Sequence, residues 1–190
     1  MKSRYLIFLL LLLSNNATAL EVSIKKNPAS GLLSWLVNEP EISLKVIQVT
    51  PDYASAIFSS RGLPPRLVKT LQDYCVFGTI IKNKSAGALA YRVADWRFIT
   101  PDGQAHAVKT KTEWIKQWAN LGVPYRWLIL PDDQVFGVGD WSQGFTTIKL
   151  PPNSTFDLNY SWRYKGETHQ RTIKKIRCAP AEVSPPSKGS

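Results

Sequence analysis

The clearest pattern in the chain is the strict alternation of apolar and polar residues in FDLNYSWRY, residues 156–164. This alternation is typical of a strand that buries one face, here an aromatic and aliphatic one. The turn KGE follows at 165–167, and THQRTIKKIRC at 168–178 then predicts the antiparallel partner of a β-hairpin. LPPNS precedes the first strand and places prolines where a missing N–H group is tolerated.

Apolar runs elsewhere also predict strands. EISLKVIQV at 41–49 alternates as a strand does, whereas SGLLSWLVNEP at 30–40 fits either a helical turn or a strand. CVFGTIIKN at 75–83 and ALAYRVADWRFITPDG at 88–103 are rich in β-branched and aromatic residues, and the second ends in a Pro-Asp-Gly turn. The pattern therefore favours a mainly β fold.

The alternation changes phase within the 88–103 segment. Tyr91 and Val93 share one face of a regular strand, while Trp96 and Phe98 share the other. A strict period of two cannot bury both pairs. One extra residue would shift the phase, so we expect a β-bulge near Ala94–Asp95.

Two segments predict short helices. SSRGLPPRLVKTLQDY contains an apolar face after a proline start and predicts a helix over about 65–73. KTEWIKQWANLGVPYRW at 111–127 predicts another, with Thr112 as its N-cap and Glu113 in its first turn. Gly122 suits the position just after this helix, and Pro124 redirects the chain.

Tryptophans on the second of these helices leave two interpretations open. Trp114, Trp118 and Leu121 fall on one stripe, which is typical of a helix docked on a sheet. The same rings could instead form an exposed platform for a sugar or an apolar partner. Trp141, in the glycine-punctuated stretch that follows, is a third candidate binding tryptophan.

The succession VFGTIIKN, YRVADWRFITPDG and LPPNSTFDLNYSW resembles the strand and turn order of immunoglobulin-like β-sandwich modules in bacterial envelope proteins. The resemblance covers about half of the chain and implies an antiparallel β-sandwich, with one or two short helices beside it. Modules of this kind mostly bind or scaffold other molecules, and the resemblance transfers no site residue to this chain.

The ends of the chain indicate export. Lys2 and Arg4 precede a short apolar run, and Ala17-Thr18-Ala19 forms a cleavage signal, so we expect a signal peptide over 1–19. One domain would then occupy 20–178, with a Trp-rich insertion at 104–145, and APAEVSPPSKGS at 179–190 would be a disordered tail. We expect a periplasmic or secreted protein without a transmembrane segment after cleavage.

Cys75 and Cys178 are the two cysteines of the chain. Oxidising compartments favour disulfides, so export predicts that the two are bonded to each other. Two separately buried thiols are the alternative.

Charge suggests the class of partner. The chain has 24 Lys and Arg against 14 Asp and Glu, an excess that favours anionic partners and also keeps a protein soluble. Much of it lies in the predicted hairpin, at Arg163, Lys165, Arg171, Lys174, Lys175 and Arg177. On one face these side chains would form a positive strip for phosphates or an acidic partner. Lysines on an edge strand also prevent aggregation between sheets, which is the alternative explanation.

Catalytic and metal-binding signals are weak. The chain has no G-x-S-x-G motif, and neither His106 nor His169 has a second ligand at metal-binding spacing. Asp95, Asp102 and His106 could meet at one end of a sheet, and the loop 132–141 carries three aspartates that could act as acid and base. A hydrolase or metal-handling protein with a site there is the alternative function.

The sequence thus predicts an exported, non-enzymatic domain that binds or scaffolds an envelope protein or an anionic envelope component. No cofactor, metal site or catalytic residue is assigned. Nucleic acid is the least expected anionic partner, because the compartment does not suit it.

Overall fold

The computed structural model of the protein describes residues 21–121 and 128–182. The predicted signal peptide lies outside the described residues, as do Gly122, Pro124 and residues 183–190 of the predicted tail. No helix in the described ranges combines the length and the hydropathy needed to cross a bilayer.

The described residues form eleven strands and three α-helices. In chain order the strands are β1 (Val22–Lys26), β2 (Leu33–Asn38), β3 (Ile42–Val49), β4 (Cys75–Asn83), β5 (Leu89–Arg92), β6 (Arg97–Ile99), β7 (Ala105–Ala107), β8 (Asp133–Phe136), β9 (Trp141–Ile148), β10 (Thr155–Tyr164) and β11 (Glu167–Arg177). The helices are α1 (Pro51–Ser60), α2 (Pro65–Leu71) and α3 (Lys111–Ala119). The ambiguous segment at 30–40 contains a strand, β2.

All strand pairs within the two sheets are antiparallel. The first sheet has the order β1-β2-β3-β4-β9. In the second sheet, β11 pairs with one side of β10, and β5 and β6 pair with its other side. β8 extends this sheet beside β5, and β7 extends it beside β6.

The two sheets pack face to face around the main hydrophobic core. Trp35, Phe77, Tyr160 and Trp162 are buried in this core, which draws residues from both sheets. The predicted antiparallel β-sandwich is confirmed, with three short helices where one or two were expected. Its assignment to the immunoglobulin-like class stays a prediction.

The helix that the sequence pattern missed is α1. Thr50 caps it by accepting a hydrogen bond from the Tyr53 N–H group, and Pro51 occupies its first turn. Only Ala54 and Phe58 of this helix are buried. Such a narrow apolar face leaves little periodic signal in the sequence.

A single disulfide bond joins the sandwich layers. Cys75 begins β4 in the first sheet, and Cys178 directly follows β11 in the second. Their Cα atoms are 5.4 Å apart, within the usual range for a disulfide. The predicted pairing is confirmed, and it closes a loop with a sequence separation of 103 residues.

The prediction of a β-bulge near Ala94–Asp95 is wrong, because a different local structure lies there. The structure has a 3₁₀ turn at Val93–Asp95, which separates β5 from β6. Like a bulge, this turn changes the phase of the strand. As a result, Tyr91, Val93, Trp96 and Phe98 are all buried in the same core.

The three helices form a third layer on the outer face of the first sheet. Phe58 of α1, Leu67 of α2, and Trp114 and Trp118 of α3 share a second buried cluster. The Trp114 indole N–H group donates to the Thr147 hydroxyl of β9 at 2.7 Å, which ties α3 to the sheet.

The cap of α3 differs from the prediction. Thr110, not Thr112, is the N-cap, because it lies three residues before Glu113 and the two side chains form a reciprocal capping box. The N–H groups of Lys111 and Thr112 instead donate to the Asp132 carboxylate. This contact attaches the start of α3 to the chain segment just before β8.

Candidate functional site

The predicted hairpin is formed by β10 and β11. Lys165 and Gly166 connect the strands with φ angles of 51° and 81°, the left-handed values that a tight two-residue hairpin turn requires. Phe156 faces Ile176, and Leu158 faces Ile173, so both strands direct an apolar side into the core. The opposite side of the hairpin faces solvent.

Five of the six predicted basic side chains are exposed on this hairpin. Arg163, Lys174 and Arg177 point away from the core, because their neighbours in the strands point into it. Lys165 lies in the turn. Lys175 lies at a bulge opposite Asp157, where its own N–H group donates to the Asp157 carboxylate at 2.8 Å. We call these five residues the basic hairpin surface.

Arg171 does not belong to this surface, so the single strip of six cations is wrong. The register pairs Arg171 with Tyr160, and this places it on the core side of β11. There its guanidinium forms an ion pair with Glu39 at 3.4 Å and lies 5.9 Å from the centre of the Trp162 ring. Arg171 therefore connects β11 of the second sheet with the β2–β3 connection of the first.

The cations of the basic hairpin surface form no close ion pair within the described part of the chain, and only the charge of Arg163 also acts on a carboxylate whose pKa it lowers, Asp95. Within residues 21–121 and 128–182, ion pairs join Arg92 to Asp95 and Arg171 to Glu39, and neither involves these five cations. β11 is also an edge strand, paired only with β10 in the described sheet. Exposed cations on an edge are available both to bind anions and to prevent pairing between sheets.

The tryptophans of α3 are core residues. Trp114 and Trp118 are fully buried and stack with their ring centres 5.2 Å apart. An exposed platform built on them is therefore wrong, and packing on the sheet is the interpretation that the structure shows. Leu121, predicted on the same stripe, is 39% exposed. Trp141 differs from the other two because it is 57% exposed, at the start of β9.

Lys109 covers the polar edge of this helical layer. Its ammonium group lies 3.6 Å from the centre of the Trp114 ring and donates hydrogen bonds to Tyr74 and Gln117. Burial lowers the pKa of Lys109 from its usual value. The contacts close the layer around Trp114 and leave the ring inaccessible to a ligand.

The residues of the alternative enzymatic site are only partly brought together. Thr100 donates to the Asp102 carboxylate and lies 3.4 Å from His106 Nε2, so these three residues stabilise one turn. Asp95 is engaged by Arg92 in a bidentate contact, and the hydrogen bond from Arg92 lowers its pKa. No group of three or more His, Cys, Asp and Glu residues in the described ranges is placed to hold a metal ion.

The aspartates of the 132–141 loop have structural partners. Asp132 accepts from the first N–H groups of α3, and Asp140 accepts from the Gly137 N–H group at 2.8 Å. Asp133 is the first residue of β8 and pairs with Arg92 in the sheet. Turn and cap contacts thus account for two of the three carboxylates.

A groove on the outer face of the first sheet was not predicted. It has a volume of about 470 Å³ and lies beside the helical layer. Ile47, Gly78 and Phe145 follow one another across three neighbouring strands, and glycine leaves a gap between the two larger side chains. The glycine inside the apolar run CVFGTIIKN was the available signal, because strand glycines often mark a close approach.

No family model and no curated protein matches the chain. Among solved structures, it is similar to YcdA, a candidate lipoprotein of Bacillus subtilis, with 14% sequence identity and a TM-score of 0.46. The match covers 74% of this chain but 38% of YcdA, so the chain spans well under two thirds of that protein. This similarity identifies no family and transfers no function.

Proposed function

We propose that the protein is an exported, non-enzymatic binding domain that attaches to an anionic, phosphate-bearing component of the cell envelope through the basic hairpin surface. The observation that carries this proposal is the set of five exposed cations on one hairpin, free of ion pairs with the described carboxylates. Lys174, Lys175 and Arg177 lie together at the end of the hairpin opposite the turn, and clustered charge of one sign raises the local concentration of the opposite charge.

Two further features support the proposal. The disulfide between Cys75 and Cys178 is the bond expected of a protein that folds in an oxidising compartment. Without Lys2 and Arg4 of the predicted signal peptide, the formal net charge of +10 falls to +8, which still favours long-range attraction to an anionic surface.

Binding to lipid vesicles tests the proposal with a defined probe. The variant that changes Lys174, Lys175 and Arg177 to Gln removes three cations from the surface. The matched control changes Lys69, Lys116 and Lys149 to Gln, which are also exposed and lie on other parts of the fold. Both variants lose the same net charge.

We expect the wild-type protein to sediment with vesicles that contain phosphatidylglycerol but not with vesicles of phosphatidylcholine alone. Each basic residue near an anionic surface contributes about 1 kcal/mol, so the hairpin variant should bind on the order of 100-fold more weakly. The control variant should bind these vesicles with an affinity closer to that of the wild-type protein. Equal loss in the two variants, or binding that added salt does not weaken, would refute attachment through this surface.

A further inference from the structure

The groove on the outer face of the first sheet is an apolar site at the margin of the helical layer. Its walls include Ile47, Ile80, Leu128 and Phe145, and Gly78 lies between Ile47 and Phe145. The volume of about 470 Å³ falls within the ~300–1,000 Å³ range of small-molecule sites. Leu128 and Phe145 also pack against the buried cluster of the described helices, so the groove borders the helical layer.

Gly78 is the residue that creates the space. A Cβ atom placed there would meet only the Ile47 Cβ atom, at an ordinary distance of 3.8 Å. The backbone of Gly78 does not need a positive φ angle, so no conformational requirement for glycine is evident at this position. The missing side chain therefore opens the groove and leaves the strand itself regular.

Basic residues lie beside the groove and along the same face of the first sheet. Arg61, at the C-terminus of α1, lines it directly. Within the described strands, the outward positions of the first sheet carry Lys25, Lys45 and Lys82 and no acidic residue. Lys25 belongs to the same cross-strand row as Gly78, and Lys45 is adjacent to Ile80 in the next row.

An apolar floor with a cationic margin matches one chemical class of ligand. The alkyl part of an amphiphile gains from leaving water, and an anionic head gains from a neighbouring guanidinium. A cationic or zwitterionic head would gain less, and an acidic peptide would leave the apolar walls uncovered.

We propose that this groove binds a single-chain anionic amphiphile, such as a fatty acid, with the alkyl chain over Gly78 and the carboxylate beside Arg61. This site lies on the first sheet, so it is independent of the attachment proposed for the basic hairpin surface on the second.

Calorimetric titration with dodecanoate, below the concentration at which it forms micelles, tests the site. Gly78→Val fills the groove with a side chain that strands favour, and Ala90→Val adds the same side chain to the outer face of the second sheet as a control. Arg61→Gln removes the cation and keeps the groove. Ile80→Glu adds a negative charge to the wall, in case Gly78→Val does not fold.

We expect saturable binding by wild type and Ala90→Val, and a loss of about tenfold or more in Gly78→Val and Ile80→Glu. Arg61→Gln should weaken the binding of dodecanoate about tenfold but leave the affinity for uncharged dodecanoylglycerol unchanged. Absence of saturable binding by wild type, or equal binding by wild type and the groove variants, would overturn the site. Equal dodecanoate affinity in wild type and Arg61→Gln would overturn the position of the carboxylate.

Discussion

Substitution of Gly144 tests how closely the chain at 128–130 packs against β9. The chain at 128–130 runs beside this strand, where the Leu130 N–H group donates to Phe145 O at 2.9 Å and the Phe145 N–H group donates to Leu128 O. A Cβ atom on Gly144 would lie only 2.4 Å from the Leu130 backbone nitrogen. Gly144→Ala therefore forces two backbone segments apart.

The cost can be estimated from these contacts. Overpacking of a close contact costs about 1–3 kcal/mol, and weakening two backbone hydrogen bonds adds about 0.5–1.5 kcal/mol for each one lost. Replacing glycine by alanine restores about 0.4–1 kcal/mol by restricting the unfolded chain. The free energy of unfolding should fall by about 1–5.5 kcal/mol after these opposing effects.

Gly78→Ala is the matched control, because it makes the same substitution in the adjacent strand where there is room for the methyl group. It should be neutral or stabilising by up to about 1 kcal/mol. Urea denaturation followed by circular dichroism, with the disulfide intact, measures both variants. If the two alanine variants unfold at the same urea concentration, the close approach at Gly144 is wrong.

Three other predictions concern the core and the disulfide. Replacing Cys75 and Cys178 by Ala should lower the free energy of unfolding by up to about 4.7 kcal/mol, the loop-entropy value for a loop of about 100 residues, and unchanged thermal unfolding would contradict this. Trp114→Phe should lower the free energy of unfolding, measured by urea denaturation, by about 1–3 kcal/mol, because it leaves the buried Thr147 hydroxyl without its indole donor. Adding Thr147→Val to this variant should recover part of the loss. Burial raises the pKa of Tyr91 to about 12. The protonated phenol therefore contributes fully to the free energy of unfolding below its unfolded pKa of about 10, and this contribution should be lost as the pH rises from about 10 through 12. Tyr91→Phe should remove that part of the pH dependence, and an unchanged alkaline profile would contradict it.

Local alternation predicted the β10–β11 hairpin correctly because one face of β10 is buried from Phe156 to Trp162. The same reasoning failed for Arg171, since the face of a residue in β11 depends on its pairing with β10 and on the bulge at Lys175. A charged side chain at the edge of a core gives no apolar signal. Arg171 also contacts Glu39, which is distant in sequence, so the ion pair was not predictable.

Local sequence patterns could not predict the groove either. It is formed where Gly78 lies between Ile47 and Phe145, which come from two other strands. The sequence shows a glycine in a strand but not its neighbours across the sheet. By contrast, the disulfide was predictable, since the expectation of export favoured a bond and two cysteines allow one pairing.

Elution from phosphocellulose is the most direct test of the proposed function, because the matrix presents phosphate groups and no lipid. The hairpin variant at Lys174, Lys175 and Arg177 and the control variant at Lys69, Lys116 and Lys149 have equal net charge. If the basic hairpin surface is the binding site, the hairpin variant should elute at lower salt than the control, which should elute near wild type. Elution of the two variants at the same salt concentration would contradict a localised site and leave only the net charge to explain retention.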